Sequence, residues 1–184
     1  MAQDPKTSDR SVPARPGVRV GAVVSQFHSE LTGAMLDSAR ALLEAHGMRA
    51  EDLVVVSAPG AFELPLIARR LARRPDIDGV LCFGLVLTGQ TTHDHWVAMG
   101  ATQGILQASL EVDKPILFGV LTCQTVEQAR ARALPPEKGG RLDKGREVAV
   151  ALLETLAALD EASHLPRRAG FGFGAPRAEG VSER

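Results

Sequence analysis

Residues 84–96 read Gly-Leu-Val-Leu-Thr-Gly-Gln-Thr-Thr-His-Asp-His-Trp and bring two histidines to one Gly- and Thr-rich turn. An apolar run, 79–86, leads in and a helical pattern, 93–112, leads out, so a Gly- and Thr-rich turn joins a buried strand to a helix start. Backbone N–H groups in such a turn lack intrahelical partners, and the helix dipole adds partial positive charge. That combination suits a phosphate. His93 and His95 sit at the same turn, and histidine exchanges protons near neutral pH. The turn is not a P-loop, because no Gly-Lys-Ser/Thr follows its glycine.

The elements that must position this turn follow from apolar patterning. β-rich runs at 18–25, 53–57, 79–86 and 115–122 read as four buried strands. A helix after Ser29, placed to cap it, carries Leu31, Met35, Ala39, Leu42 and His46 at helical spacing, with Gly47 as its stop. A second helix starts near Pro65, which only a first turn tolerates. Its Leu66, Ile67 and Leu71 are expected to face inward, and Arg69, Arg70, Arg73 and Arg74 to face water. The helix after His93 places Val97, Ala101, Ile105 and Ala108 on one face. Thr125 to Gln128 fits a capping box opening a short helix. A last helix, about 143–160, is expected to bury Val148, Leu152, Leu156 and Leu159. Strands alternating with helices give an α/β fold: a three-layer α/β/α domain around a four-stranded parallel, flavodoxin-like sheet. The expected organisation is a flexible arm at 1–17, one domain at 18–161 and a disordered tail at 162–184. Ligands bind beyond the carboxyl ends of strands in such sheets. Those ends are 26–28, 58–63, 85–93 and 122–125, so topology alone gathers the candidates on one edge.

The totals narrow the class. The chain has 184 residues, 45% of them hydrophobic, and a net charge of −1. That is ample apolar material for a core, with no electrostatic footprint for nucleic acid or an acidic membrane surface. No apolar run reaches the length of a membrane span, and residues 1–16 carry no apolar signal core, which points to the cytoplasm. Cys82 and Cys123 each lie inside an apolar run and read as buried free thiols. No zinc-ligand spacing is present, so no metal is expected.

On the ligand edge, Phe27 and Phe62 stand in turns, where they either stack on a planar ring or close the end of the sheet. Glu63 either accepts N–H donors from a ligand or simply stands at a helix N-terminus, where the dipole favours it. Gly89, Gln90 and Thr91 offer N–H groups to a phosphate. Arg132 by itself reads as a surface arginine, and no nucleophile set is visible, Cys123 lacking an activator. The residues alone describe a domain that binds a phosphorylated small molecule, with His93 as candidate general acid/base.

Taken together, the strand-end segments resemble the 6,7-dimethyl-8-ribityllumazine synthase family. The likeness rests on Val24 to His28, Pro59-Gly60-Ala61-Phe62-Glu63-Leu64-Pro65, Gly89-Gln90-Thr91-Thr92-His93, Phe118 to Thr122, Glu127-Gln128-Ala129 with Arg132-Ala133, and Asp143-Lys144-Gly145. It spans roughly 18–159. The resemblance implies condensation of 5-amino-6-(D-ribitylamino)uracil with 3,4-dihydroxy-2-butanone 4-phosphate. Imine formation, phosphate loss, ring closure and dehydration then give the lumazine, without cofactor or metal. By position, Phe27 would stack on the pyrimidine. Ala61, Phe62 and Glu63, with Leu85, Val86 and Leu87, would hold the ring and ribityl chain. Gln90 and Thr91 would take the phosphate with Arg132, and Lys144 would assist. His93 would relay protons, and Phe118 would come from a neighbouring subunit.

The resemblance also implies a homo-oligomer with sites between subunits of a pentameric ring. The long 133–143 link with Pro135 and Pro136, and Pro13 and Pro16 in the arm, point to a pentamer or paired pentamers rather than a sixty-subunit shell. Riboflavin synthase is the implied candidate associate. Two departures stand out. Thr88 occupies a place where the family usually has Arg, and Asp94-His95-Trp96 replaces aromatic-Asp-aromatic after the histidine. A divergent, non-catalytic oligomer that binds lumazines or flavins is the alternative reading; Phe27, Glu63, His93, Arg132 and Lys144 together favour the synthase.

Overall fold

Four apolar, β-branched runs become strands, the two central ones buried on both faces and the two edge ones partly open to solvent. In the computed structural model, which describes residues 15–165, they are β1 (Val20–Ser25), β2 (Leu53–Ala58), β3 (Gly79–Leu87) and β4 (Ile116–Cys123). All pair in parallel, in the order β2-β1-β3-β4. Val20 stands opposite Leu53 on one side and Gly79 on the other, and Val80 stands opposite Ile116. β3, central and flanked by layers on both sides, is buried along its length up to Val86. The expected three-layer α/β/α architecture is the observed one.

The crossovers are α1 (Ser29–Ala45), α2 (Leu64–Ala72) and α3 (His93–Val112), followed after β4 by α4 (Val126–Ala133) and α5 (Lys144–His164). Alternation of side chains along a strand feeds two cores. Leu81, Phe83 and Leu85 pack with α1, α4 and α5, and Val80, Cys82 and Val86 pack with α2 and α3. Both cysteines are free and buried.

Three local expectations are corrected. Leu66 is 71% exposed; Leu64, Ala68, Leu71 and Ala72 form the inward face of α2. Successive helical residues turn by about 100°, so a side chain two places after buried Leu64 points away from the sheet. Leu159 is 43% exposed. A β-carbon on Gly79, the first residue of β3, would lie 2.6 Å from Leu152, so Leu152 already reaches the start of that strand. Seven residues further along α5, about 10 Å by helix rise, Leu159 has run past the sheet. Finally, Ser29 is the first helical residue of α1, and the N-cap is His28, in the left-handed region at φ 57° with no side-chain cap bond.

Other punctuation is as expected. Gly47 takes φ +99° beyond α1, and Pro65 sits in the first turn of α2. Thr125 Oγ1 accepts the Gln128 N–H at 3.3 Å, while Gln128 Oε1 accepts the Gln124 N–H at 3.1 Å, so the box closes one residue earlier than the usual pattern. Helix α5 runs to His164, beyond the expected end near 160. Most of the expected arm and tail lies outside the described residues.

Candidate active site

Three of the four strand ends build one cavity. β1 ends in Phe27 and His28, β2 in the turn Gly60 to Glu63, and β3 in Leu85, Val86 and Leu87 before the turn into α3. These residues, with Gly89, Thr91, His93, Asp94, Trp96 and Val97, enclose about 600 Å³. That is the volume class of a small-molecule site. The walls are apolar strand ends and aromatics; the polar groups gather at Glu63 and at the α3 N-terminus.

Each wall is fixed locally. A β-carbon on Gly60 would lie 3.0 Å from Glu63 Oε2 and 3.4 Å from the Phe27 ring, so both groups converge on this glycine. Glu63 is the N-cap of α2. Phe27 is 66% exposed and Phe62 59%, rings offered outward rather than spent on the core. His28, beside Phe27, holds a left-handed backbone conformation that is uncommon for a non-glycine residue, though less so for histidine than for most. At the α3 end, the His93 N–H donates to Thr91 Oγ1 at 3.4 Å, folding the turn onto the helix start. Thr92, the N-cap, gives no side-chain bond. Beyond the His93 N–H, held by Thr91, the first N–H groups of α3 have no side-chain cap from Thr92 competing for them.

The expected site residues divide into three groups. Phe27, Ala61, Phe62, Glu63, Leu85, Val86, Leu87, Thr91 and His93 line the cavity together. Gln90 is exposed between Gly89 and Thr91, within the same turn. Phe118, Arg132 and Lys144 do not line it. Phe118 stands opposite Cys82, well below the strand ends, and is 39% exposed on edge strand β4. Arg132, on α4, donates from Nη1 to the Gln128 carbonyl at 2.9 Å. Lys144, opening α5, pairs with Glu147 at 2.7 Å. The cavity also takes in His28 and Gly60, which lie in the strand-end segments with no individual role expected, and Asp94, Trp96 and Val97 from α3. For α3 the signal was available: positions 93, 96 and 97 share one helical face.

The thiols offer no nucleophile. Burial pushes the Cys82 thiol well up, and Cys123 is also raised by burial, partly offset by the positive charge of Arg132. Among the described residues no cluster of His, Cys, Asp and Glu is placed to hold a metal, and no helix is long and apolar enough to cross a membrane.

Comparison with known proteins agrees with the geometry. The profile of the family described as 6,7-dimethyl-8-ribityllumazine synthase matches residues 17–160. A 6,7-dimethyl-8-ribityllumazine synthase of Salinibacter ruber is 44% identical over 139 residues, covering 75% of this chain and 86% of the relative. One from Thermus thermophilus is 39% identical over 160 residues, covering 86% and 98%. One from an Anaeromyxobacter species is 43% identical over 150 residues, covering 82% and 90%.

Proposed function

The chain belongs to the 6,7-dimethyl-8-ribityllumazine synthase family, and from that premise we propose how its cavity works. It is a transferase of riboflavin biosynthesis. It condenses 5-amino-6-(D-ribitylamino)uracil with 3,4-dihydroxy-2-butanone 4-phosphate to 6,7-dimethyl-8-ribityllumazine and releases phosphate. The observation that carries the reading is the single cavity shared by Phe27, Phe62, Glu63, Thr91 and His93, drawn from three strand ends.

The chemistry needs two substrates held in register more than it needs a strong catalyst. Phe27 stacks on the pyrimidine. Ala61 to Glu63 and Leu85 to Leu87 hold the ring and the ribityl chain, the Glu63 carboxylate accepting N–H groups. The amine of the pyrimidine adds to the ketone, and the resulting carbinolamine loses water to give the imine. Loss of a proton from carbon and of the phosphate from its neighbour follows, with His93 moving the protons. Gln90, Thr91 and the α3 N-terminus take the phosphate. Holding reactants together and stabilising the departing anion supply most of the acceleration.

One chain leaves Phe118, Arg132 and Lys144 outside its own cavity, so a neighbouring copy supplies them. Phe118 closes the ring pocket, and Arg132 with Lys144 completes the phosphate site. The unit is a pentamer or paired pentamers, in the cytoplasm, and riboflavin synthase is a candidate associate. The non-catalytic binder is not favoured, because the relatives at 39–44% identity are synthases by name. The test is lumazine absorbance from purified protein and both substrates, against the spontaneous background. No rate above that background would overturn the reading.

A further inference from the structure

The first turn of α3 sorts its side chains. With about 100° per residue, His93, Trp96 and Val97 share an arc, Asp94 sits at its edge, and His95 points the other way. The cavity wall follows that order: it takes His93, Asp94, Trp96 and Val97 and omits His95. His95 instead meets Trp96 edge-on, ring centres 5.2 Å apart. The carboxylate in this turn is therefore on the cavity side and the second histidine is on the outer side.

Asp94 is half-buried, and no ion pair among the described residues engages it. It occupies the second position of α3, where the dipole stabilises an anion. The phosphate assigned to the turn at Gly89 to Thr91 would use the same dipole. Three residues of chain from Thr91 to Asp94 span at most about 11 Å, and a helical turn is shorter, so the separation does not exceed the screening length of physiological salt by much. With phosphate bound at that turn, two anions would share one helix end. They repel.

We propose that Asp94 is a specificity-determining residue for the phosphorylated substrate: its carboxylate weakens anion binding at the α3 N-terminus and so speeds departure of inorganic phosphate. Arg132 and the backbone N–H groups attract the phosphate; Asp94 sets how loosely it is held. The proposal rests on the reading of residues 89–91 as the phosphate turn.

Inorganic phosphate is the probe. The full chain and its Asp94→Asn variant are compared by calorimetry and by competitive inhibition of lumazine formation. Asp94→Asn should bind phosphate about three- to tenfold more tightly, the scale of a like-charge contact at this range. KM for the phosphorylated substrate should fall by a similar factor while KM for the pyrimidine stays constant. The difference should shrink as ionic strength rises, which a purely structural role would not produce. Asp94→Glu should restore the original affinity. Asp94→Ser, also suited to a first turn, serves if the Asn variant does not fold. Equal or weaker phosphate binding by a variant with an unchanged thermal midpoint overturns the proposal, as does absence of phosphate binding in both proteins. Calorimetry needs no turnover, so a wild type that makes no lumazine would sink the synthase reading while leaving this comparison decisive.

Discussion

The ring of Phe62 lies across Gly100: a β-carbon on that glycine would stand 2.6 Å from Phe62 Cε2. One helix turn on, a β-carbon on Gly104 would stand 2.8 Å from the Pro65 ring. Two glycines on α3 thus let the start of α2 approach, and that approach sets the wall carrying Phe62 and Glu63. Gly100→Ala should push the Phe62 ring aside. Because Phe62 is mostly exposed, the ring can move at little cost to stability, so the thermal midpoint should shift by only a degree or two while KM for the pyrimidine rises about three- to tenfold. Gly119→Ala is the contrast. Its β-carbon would stand 2.6 Å from the Cys82 carbonyl oxygen, inside the sheet, where backbone cannot swing away. It should cost about 2 kcal/mol or more, read by chemical denaturation.

His93 and Arg132 should separate in kinetics. Substitution of His93 by Ala removes one proton relay from a reaction that positioning largely drives, so kcat should fall about tenfold while both KM values hold. For Arg132→Ala, the lost charge acts on the phosphate. KM for the phosphorylated substrate should rise about tenfold or more, and KM for the pyrimidine should not. Steady-state kinetics with each substrate varied checks both. If neither variant changes turnover, the site is misplaced.

The difference between what was legible and what was not follows residue by residue. Strands were legible because runs such as 79–86 are apolar on both faces, and parallel order followed from their alternation with helices. Leu66 and Leu159 show the limit: both are apolar and near helical spacing, but inward or outward depends on where the sheet ends and on helix phase. Within the site, Phe27, Glu63, Thr91 and His93 fell on strand ends that topology had already gathered. Nothing in spacing or composition singled out Phe118, Arg132 or Lys144; only the family resemblance reached them, and one chain does not bring them to the cavity. Asp94 and His95 look interchangeable in sequence, and the 100° turn between them puts one in the wall and the other outside.

Acid should weaken the fold through Asp52. Its carboxylate accepts from Arg49 Nε at 2.7 Å and from Nη2 at 3.1 Å, and this bonding holds it below the usual carboxylate range, against the opposing effect of burial. A lowered folded-state value means that the unfolded chain binds the proton more readily. The stabilisation is therefore complete above the ordinary aspartate value of about 3.9 and is lost as pH falls through the lower, folded value. Denaturation measured from neutral pH downward should show a steeper acid decline for wild type than for Asp52→Asn. Parallel curves would show that the pair does not contribute.

Trp96, the single tryptophan, is 62% exposed on the cavity wall. An indole at that position changes environment when a ring or ribityl chain fills the space beside it. Titration with the lumazine product should give a saturable change in its emission, absent in a Phe27→Ala variant up to about tenfold higher ligand. Emission unaltered by bound ligand, with binding shown by calorimetry, would remove Trp96 from the site.

Exposed apolar side chains point to assembly. Leu106 and Leu110 are 62% and 75% exposed along one face of α3, and Phe118 and Val126 are 39% and 41% exposed on β4 and α4. A lone chain presents these to water; in the oligomer proposed above a neighbouring copy would cover them. The active-site reading independently requires a neighbour, because Phe118, Arg132 and Lys144 stay outside the cavity of their own chain. On the proposed reading, the link between α4 and α5 limits how far assembly goes. It bends through Pro135 and Pro136, turns at Gly139 with φ +84°, and is tied back by the Arg141 and Leu142 N–H groups to the Ala131 carbonyl at 2.8 and 3.0 Å. Rings with this link should stop at five or ten copies of the 19.5 kDa chain. Sedimentation should show one or both of those masses, and Phe118→Ala should lower turnover without dissolving the ring. A profile dominated by a sixty-subunit particle would refute the limit, and a fully active monomer would refute the shared site.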